Sequence, residues 1–415
     1  MKKLFFVLFL FFFASAVYAQ SYEDVERTTS FGLIPVLSDT NERTDGYYLP
    51  SLLAANKKGY GYIDCNFTKG GLIVPFLGRS LVMAVWYENG NTRDMVDIKQ
   101  IMSVLQPSSS DIPDTEHLMG FAFGANLNGN LALGLNFRYL LGRHFEENST
   151  ATVTNSYKIN TDRIELNPSL TFRKGSLFID FGIALNFQWM TETAKGSFEY
   201  DRTTTYDGNV DFSFFGRGGF ALSQYSDLVV GTGFGVLPLH EKQLALVEDD
   251  NEEVADIKNN TFFWNFKVGS LLKPQKWMRI HPAILFSLYH VDNIDKLINN
   301  DLSDEITTTK KNIFALSLML GMDVTPAEWI SIKAGVKKDF NLIDDRETRD
   351  DSDTAVQNTR LNEALGAYFG QSFMWKGFTF TSMINLDFFI QGPYIISGKE
   401  MTSNWAYVST VEYQW

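Results

Sequence analysis

Cysteine is nearly missing. Cys65 is the only one in 415 residues, so no intrachain disulfide is available and the fold rests on sheet and packing. With 11 prolines and 31 glycines, the chain is neither collagen-like nor a proline-rich linker. After the first twenty residues no apolar run reaches the roughly 18 positions of a membrane helix, which excludes a polytopic helical membrane protein. Positive charge is also short. Lys and Arg number 36 against 49 Asp and Glu, for a net charge of −13. Nucleic acid selects the opposite footprint, so none is expected as a partner. Aromatic residues are plentiful: 35 Phe, 17 Tyr and 8 Trp argue against a disordered chain.

Residues 1–19 read as a secretory signal. Lys2 and Lys3 precede an apolar run from Leu4 to Phe13, and Val17-Tyr18-Ala19 sets the cut between Ala19 and Gln20. A lipoprotein requires a cysteine at the cut, where Gln20 stands. Removing the signal leaves 415 − 19 = 396 residues and a net charge of −13 − 2 = −15.

The rest of the chain alternates with a period of two. Leu177, Ile179, Phe181, Ile183, Leu185, Phe187 and Trp189 share one face, opposite Asp180, Gly182, Ala184, Asn186 and Gln188. The stretches 131–141, 163–173 and 378–391 repeat the pattern. Such runs are about ten to fourteen residues long, beyond a globular strand of about five or six. They fit a tilted membrane strand of about 9–11. Arg, Glu and Asp along one face would be ruinous in a sandwich core and are normal in a wet lumen.

Connections alternate in length. Short ones fall near 127–130, 173–176, 222–227, 272–277, 325–328 and 375–377. Long polar ones fall near 89–118, 142–161, 191–208, 240–259, 291–310, 341–357 and 392–403. Outer-membrane barrels have this asymmetry, with short periplasmic turns and long extracellular loops. Trp86, Trp189, Trp264 and Trp405 fall near extracellular strand ends, and Trp277, Trp329, Trp375 and Trp415 near periplasmic ones, as in aromatic girdles. The final segment alternates through Tyr407, Tyr413 and Trp415. It resembles the terminal strand that the barrel assembly machinery reads, and it must pair with the first strand to leave no edge in lipid. The expected fold is all-β: a transmembrane antiparallel up-and-down barrel of about 14 strands, or 16 if 59–67 and 71–76 form one further hairpin.

Residues 20–58 do not alternate as a spanning strand and suit a plug in the barrel mouth, with the barrel itself at 59–415. A barrel this wide needs something in its lumen, water or protein. The segment Pro50-Ser51-Leu52-Leu53-Ala54 resembles the hatch of the long-chain fatty-acid (hydrophobic compound) transporter family. There an Asn-Pro-Ala segment followed by Leu-Ala precedes the first strand. Here Leu49 stands in place of Asn and Ser51 in place of Ala. The resemblance implies a hatch-plugged barrel passing hydrophobic compounds.

Lumen-facing candidates by alternation are Arg138, Arg163, Glu165, Arg173, Asp180, Arg217, Lys267, Arg279, Lys333, Lys337, Asp339, Asp387 and Glu412. They mix signs and form no single-sign ladder of an ion-selective pore. Gly231, Gly233 and Gly235 share a face and leave room for a hatch to pack or for a kink. His117, His144, His240 and His290 map to the extracellular rim and His281 to a periplasmic end, with no ligand spacing linking any pair. No catalytic residue, metal site or cofactor is assigned. The acidic runs 249–253 and 344–353 read as solvated loops, since no calcium-loop spacing appears. The expected function is passive uptake of small, hydrophobic solutes across the outer membrane. A general diffusion porin is the first alternative, and a barrel binding partners through acidic loops the second. A rim hydrolase ranks last. Membrane lipid, the assembly machinery and a small solute are the expected partners, and the sequence sets no oligomeric state.

Overall fold

The computed structural model describes residues 50–56, 59–64, 69–76, 80–89, 117–149, 154–195, 201–247, 250–297, 305–349, 352–385 and 407–414. The signal segment with Ala19 and Gln20, residues 20–49, Asp387, Trp405 and Trp415 lie outside them. A short helix α1 (Pro50–Asn56) precedes β1 (Tyr60–Asp64), β2 (Lys69–Phe76), β3 (Leu81–Asn89) and β4 (His117–Asn126). Next come β5 (Leu131–Ser149), β6 (Thr154–Lys174), β7 (Leu177–Lys195), β8 (Asp201–Ser223), β9 (Ser226–Val247) and β10 (Asp250–Gln275). The wall is completed by β11 (Met278–Leu297), β12 (Glu305–Ala327), β13 (Ile330–Arg349), β14 (Ser352–Trp375), β15 (Phe378–Asn385) and β16 (Tyr407–Gln414).

Each strand pairs antiparallel with its sequence neighbours, and the ring closes where Tyr60 faces Gln414 and Asp64 faces Thr410. The described wall therefore has sixteen strands, the larger of the two expected numbers, because the segments around 60–76 form a true hairpin. Closure removes the edge whose backbone groups lipid cannot satisfy.

The wall is apolar outside and polar inside. Phe121 and Phe123 are 42% and 54% exposed, whereas Ala122 between them is fully buried. Along β6 the buried set is Arg163, Glu165, Asn167, Ser169 and Thr171. An exposed apolar band around a closed sheet is the arrangement that hydrocarbon solvent demands.

The strands are longer than expected. β5 to β14 run from 19 to 26 residues. Much of what reads as polar loop at 142–161, 191–208, 240–259, 291–310 and 341–357 is ladder. Ser149 still faces Thr154, and Asp250 still faces Val247. Beyond lipid the backbone keeps its hydrogen bonds, but the outward side chains need not be apolar. The alternation that marks a strand in sequence therefore stops before the strand does.

At the other end the hairpins are tight. Lys376 and Gly377 both take positive φ, 47° and 87°, between the facing residues Trp375 and Phe378. This is the two-residue turn whose twist matches the flanking strands. A Cβ at Gly377 would stand 2.7 Å from the Gln414 carbonyl oxygen, on the strand that closes the barrel. Gly377→Val is expected to slow closure and cost about 1–3 kcal/mol. The check is the fraction of refolded protein that runs at the heat-shifted position on a gel, with Gly216→Val, whose Cβ meets nothing closer than 3.7 Å, as the comparison.

Four inward aromatic rings lie over the glycine directly opposite on the neighbouring strand. They are Trp86 over Gly120, Phe178 over Gly219, Phe215 over Gly182 and Phe263 over Gly235. Trp86 is thus a lumen residue, 5% exposed, and not a girdle residue. It follows the inward parity of Val82 and Ala84, which outranks its nearness to a strand end. Trp189, Trp264, Trp277, Trp329 and Trp375 are exposed on the outer surface.

Candidate functional site

The lumen holds α1. Its backbone lies on a patch made flat by two facing glycines, Gly124 and Gly134. A Cβ on Gly124 would stand 2.8 Å from the Pro50 carbonyl oxygen, and one on Gly134 would run into the Pro50–Ser51 backbone. The Ser51 amide donates to Ser169 Oγ at 2.9 Å, and Ser51 Oγ lies 2.8 Å from Thr171 Oγ1. Leu52, Leu53 and Ala54 then pack into an apolar cluster that includes Ile73, Val82, Trp86, Leu118 and Leu140 from the wall. Phe215 and Phe263 belong to the same cluster, with Tyr289 against it. The hatch seat is therefore Gly124 and Gly134, not the run at Gly231, Gly233 and Gly235. Those three are buried, with Gly235 covered by Phe263 and Gly231 facing Arg217 and Lys267.

Beside this greasy region runs a polar ladder. Arg138 on β5 pairs with Glu165 on β6. Arg163 Nε lies 3.1 Å from Glu165 Oε1, and its Nη2 lies 4.0 Å from Asp211 Oδ2 on β8. All four side chains are buried, and Asn136, Asn167 and Asn186 are buried on β5, β6 and β7. Asp180 accepts from Arg217 Nε at 2.8 Å. Lys337 Nζ lies 3.1 Å from Asp339 Oδ2 across the barrel on β13, and Lys267 is buried on β10. Arg173 is exposed at a tight turn, while Arg279 and Lys333 are half-buried on inward positions. Asp387 and the Glu412 side chain lie outside the described set. Asp211 belongs to the ladder and is absent from the sequence-derived set, although Asp211, Ser213, Phe215 and Arg217 alternate with Val210, Phe212 and Phe214. The inward Phe215 and Phe263 carry no signal beyond their facing glycines.

The histidines do not converge. His117 Nδ1 lies 2.9 Å from the Tyr87 hydroxyl. His240 Nε2 lies 2.6 Å from Asp256 Oδ1, whose other oxygen accepts from Lys258 at 3.0 Å. Burial alone would raise the Asp256 carboxyl, but the hydrogen bonds and charges of Lys258 and His240 outweigh it and hold it below the usual carboxylate range. His290 Nδ1 lies 2.7 Å from Asn312 Oδ1. His281 is buried facing inward, and the His144 side chain lies outside the described set. Among the described residues no three His, Cys, Asp or Glu are placed to hold a metal ion.

No protein-family model and no curated protein matches the sequence. Solved structures with a similar fold include the Pseudomonas putida toluene transporter TodX, at 8% identity and TM-score 0.39, over 92% of this chain and 94% of that one. The CymD monoaromatic hydrocarbon channel is similar at 10% identity and TM-score 0.38, over 93% and 96% of the two chains. The ferric yersiniabactin uptake receptor FyuA from Yersinia pestis is similar at 8% and TM-score 0.41, over 79% of this chain and 67% of its own. At such identities and so loose a superposition, none of them assigns an activity to this chain.

Proposed function

We propose that the chain is an outer-membrane channel for passive uptake of small hydrophobic molecules, with α1 as part of a hatch. Its place in the outer membrane is supported by the apolar outer band, the edgeless wall, and the tight turns at one end against long hairpins at the other. The observation that carries the uptake reading is the apolar cluster around Leu52 and Leu53, inside a lumen that also carries the buried ion-pair ladder. A water-filled pore needs no such surface. An apolar solute leaving water gains about 25 cal/mol for each Å² it buries, so one that displaced part of the α1 contact would meet apolar surface on the wall beside the hatch.

The test is single-channel recording of the refolded chain in a planar bilayer, with heat-shifted gel mobility as the folding control. The full chain is expected to be folded and silent, and a variant lacking residues 20–58 to conduct. Stable ohmic steps from the full chain would demote the hatch and favour a general diffusion pore. Silence from both would favour a barrel that works through its outer hairpins.

A further inference from the structure

Above the apolar band the outer surface of β9–β13 turns cationic. The outward row Trp264, Leu288, Phe314 and Leu342 is 38–48% exposed and runs across four neighbouring strands. Two outward positions beyond Phe314 and Leu342, Lys310 stands directly opposite Arg346. Four residues of strand place the pair about 13 Å along the wall from that apolar row, toward the long hairpins. Both residues are exposed.

Like charges directly opposite on adjacent strands repel, and the nearby carboxylates do not resolve this. Asp292 lies on the far side of Lys310, at 3.7 Å, and also meets His290 at 3.3 Å. Asp344 accepts from Gln357 at 2.9 Å and from Thr359 at 3.1 Å. Arg346 has no carboxylate partner among the described residues. Lys242, Lys258 and Lys296 add three cations on outward positions of β9–β11, against Asp256, which Lys258 meets at 3.0 Å, and Glu253 opposite Leu244. This patch is net positive on a chain that totals −13.

We propose that Lys310 and Arg346 together bind a phosphate of a phosphorylated glycolipid in the outer leaflet. The acyl chains of that lipid would lie on Phe314 and Leu342, and the phosphate would sit between the two cations and relieve their repulsion. Bidentate Arg and a flexible Lys are a common pair for a phosphate. The inference rests on the barrel spanning a membrane with its long hairpins at the outer face, and it is independent of what crosses the lumen.

The experiment titrates the refolded full-length chain, in uncharged detergent, with a bisphosphorylated glycolipid and reads bound lipid by native mass spectrometry. At about 1 kcal/mol per cation near a lipid surface, the double variant K310Q/R346Q is expected to bind about thirtyfold more weakly. R346Q alone is expected to lose about fivefold, and the charge-keeping K310R/R346K to bind like the parent. K376Q, at the opposite end of the barrel, is expected to leave binding unchanged. Equal heat-shifted mobility without lipid shows that each variant folds. Unchanged affinity in K310Q/R346Q would overturn the proposal. So would inorganic phosphate, at the same phosphate concentration, displacing the glycolipid, since the site would then serve a free anion.

Discussion

Gly134→Leu is expected to turn an electrically silent barrel into a conducting one. Gly134 faces Gly124 across β4 and β5, and together they expose bare backbone to the lumen. The atoms a side chain would meet belong to the backbone of Pro50 and Ser51, and backbone cannot rotate aside as a side-chain tip can. Either the wall bends or α1 leaves. The wall is held by ladders on both sides, whereas α1 is held to it by the Ser51 hydrogen bonds to Ser169 and Thr171 and by apolar contact. Two such bonds contribute about 1 kcal/mol each, and overpacking costs about 1–3 kcal/mol. The helix is the weaker partner. Recording in a planar bilayer checks this, with Gly216→Leu as a lipid-facing comparison that should stay silent. A silent, correctly folded Gly134→Leu barrel would show that α1 does not hold the lumen shut.

Glu165→Gln is expected to be the most destabilising single change in the wall, costing about 3–5 kcal/mol. Its carboxylate is fully buried between two buried guanidinium groups. Without it, Arg138 and Arg163 keep their positive charge in a place that water reaches poorly, and Asp211 stands farther off, at 4.0 Å from Arg163. Urea unfolding from lipid vesicles, followed by tryptophan fluorescence, measures the loss. The double variant Arg138→Met/Glu165→Met is expected to recover only the part of the loss due to Arg138, because Arg163 still loses its Glu165 partner. If the two single losses instead add, the residues are not coupled and the ladder is a coincidence of register.

The barrel was legible in the sequence because lipid imposes a strict rule on one face of each strand. Leu133, Leu135 and Phe137 had to be apolar, and so had to alternate with Gly134, Asn136 and Arg138. The tight turns were legible for a related reason, since a short connection between two alternating runs leaves little choice. The reach of the hairpins was not. Once β9 and β10 pass the band, residues such as Lys242 and Asp256 face water on the outside, and nothing in their pattern separates a strand from a loop. The polar ladder was half legible. Alternation places Arg138, Glu165 and Arg163 on one side, but which of them meet depends on register between strands, and register is set by turns and bulges that composition does not show. The seat of α1 was missed for the same reason. Gly231, Gly233 and Gly235 stand out as a run, while Gly124 and Gly134 become a pair only when β4 and β5 are laid side by side.

The glycines opposite Trp86, Phe178, Phe215 and Phe263 have a consequence for calibre. An inward ring on an ordinary wall would stand off from it and narrow the bore by its own length. Each of these rings instead folds flat into the dent left by the missing side chain across from it. The interior gains aromatic surface without losing width, and the bore is set by where those glycines fall as much as by the number of strands. Filling one dent, as in Gly235→Ala, would push Phe263 toward the axis and narrow the interior while leaving the outer face untouched.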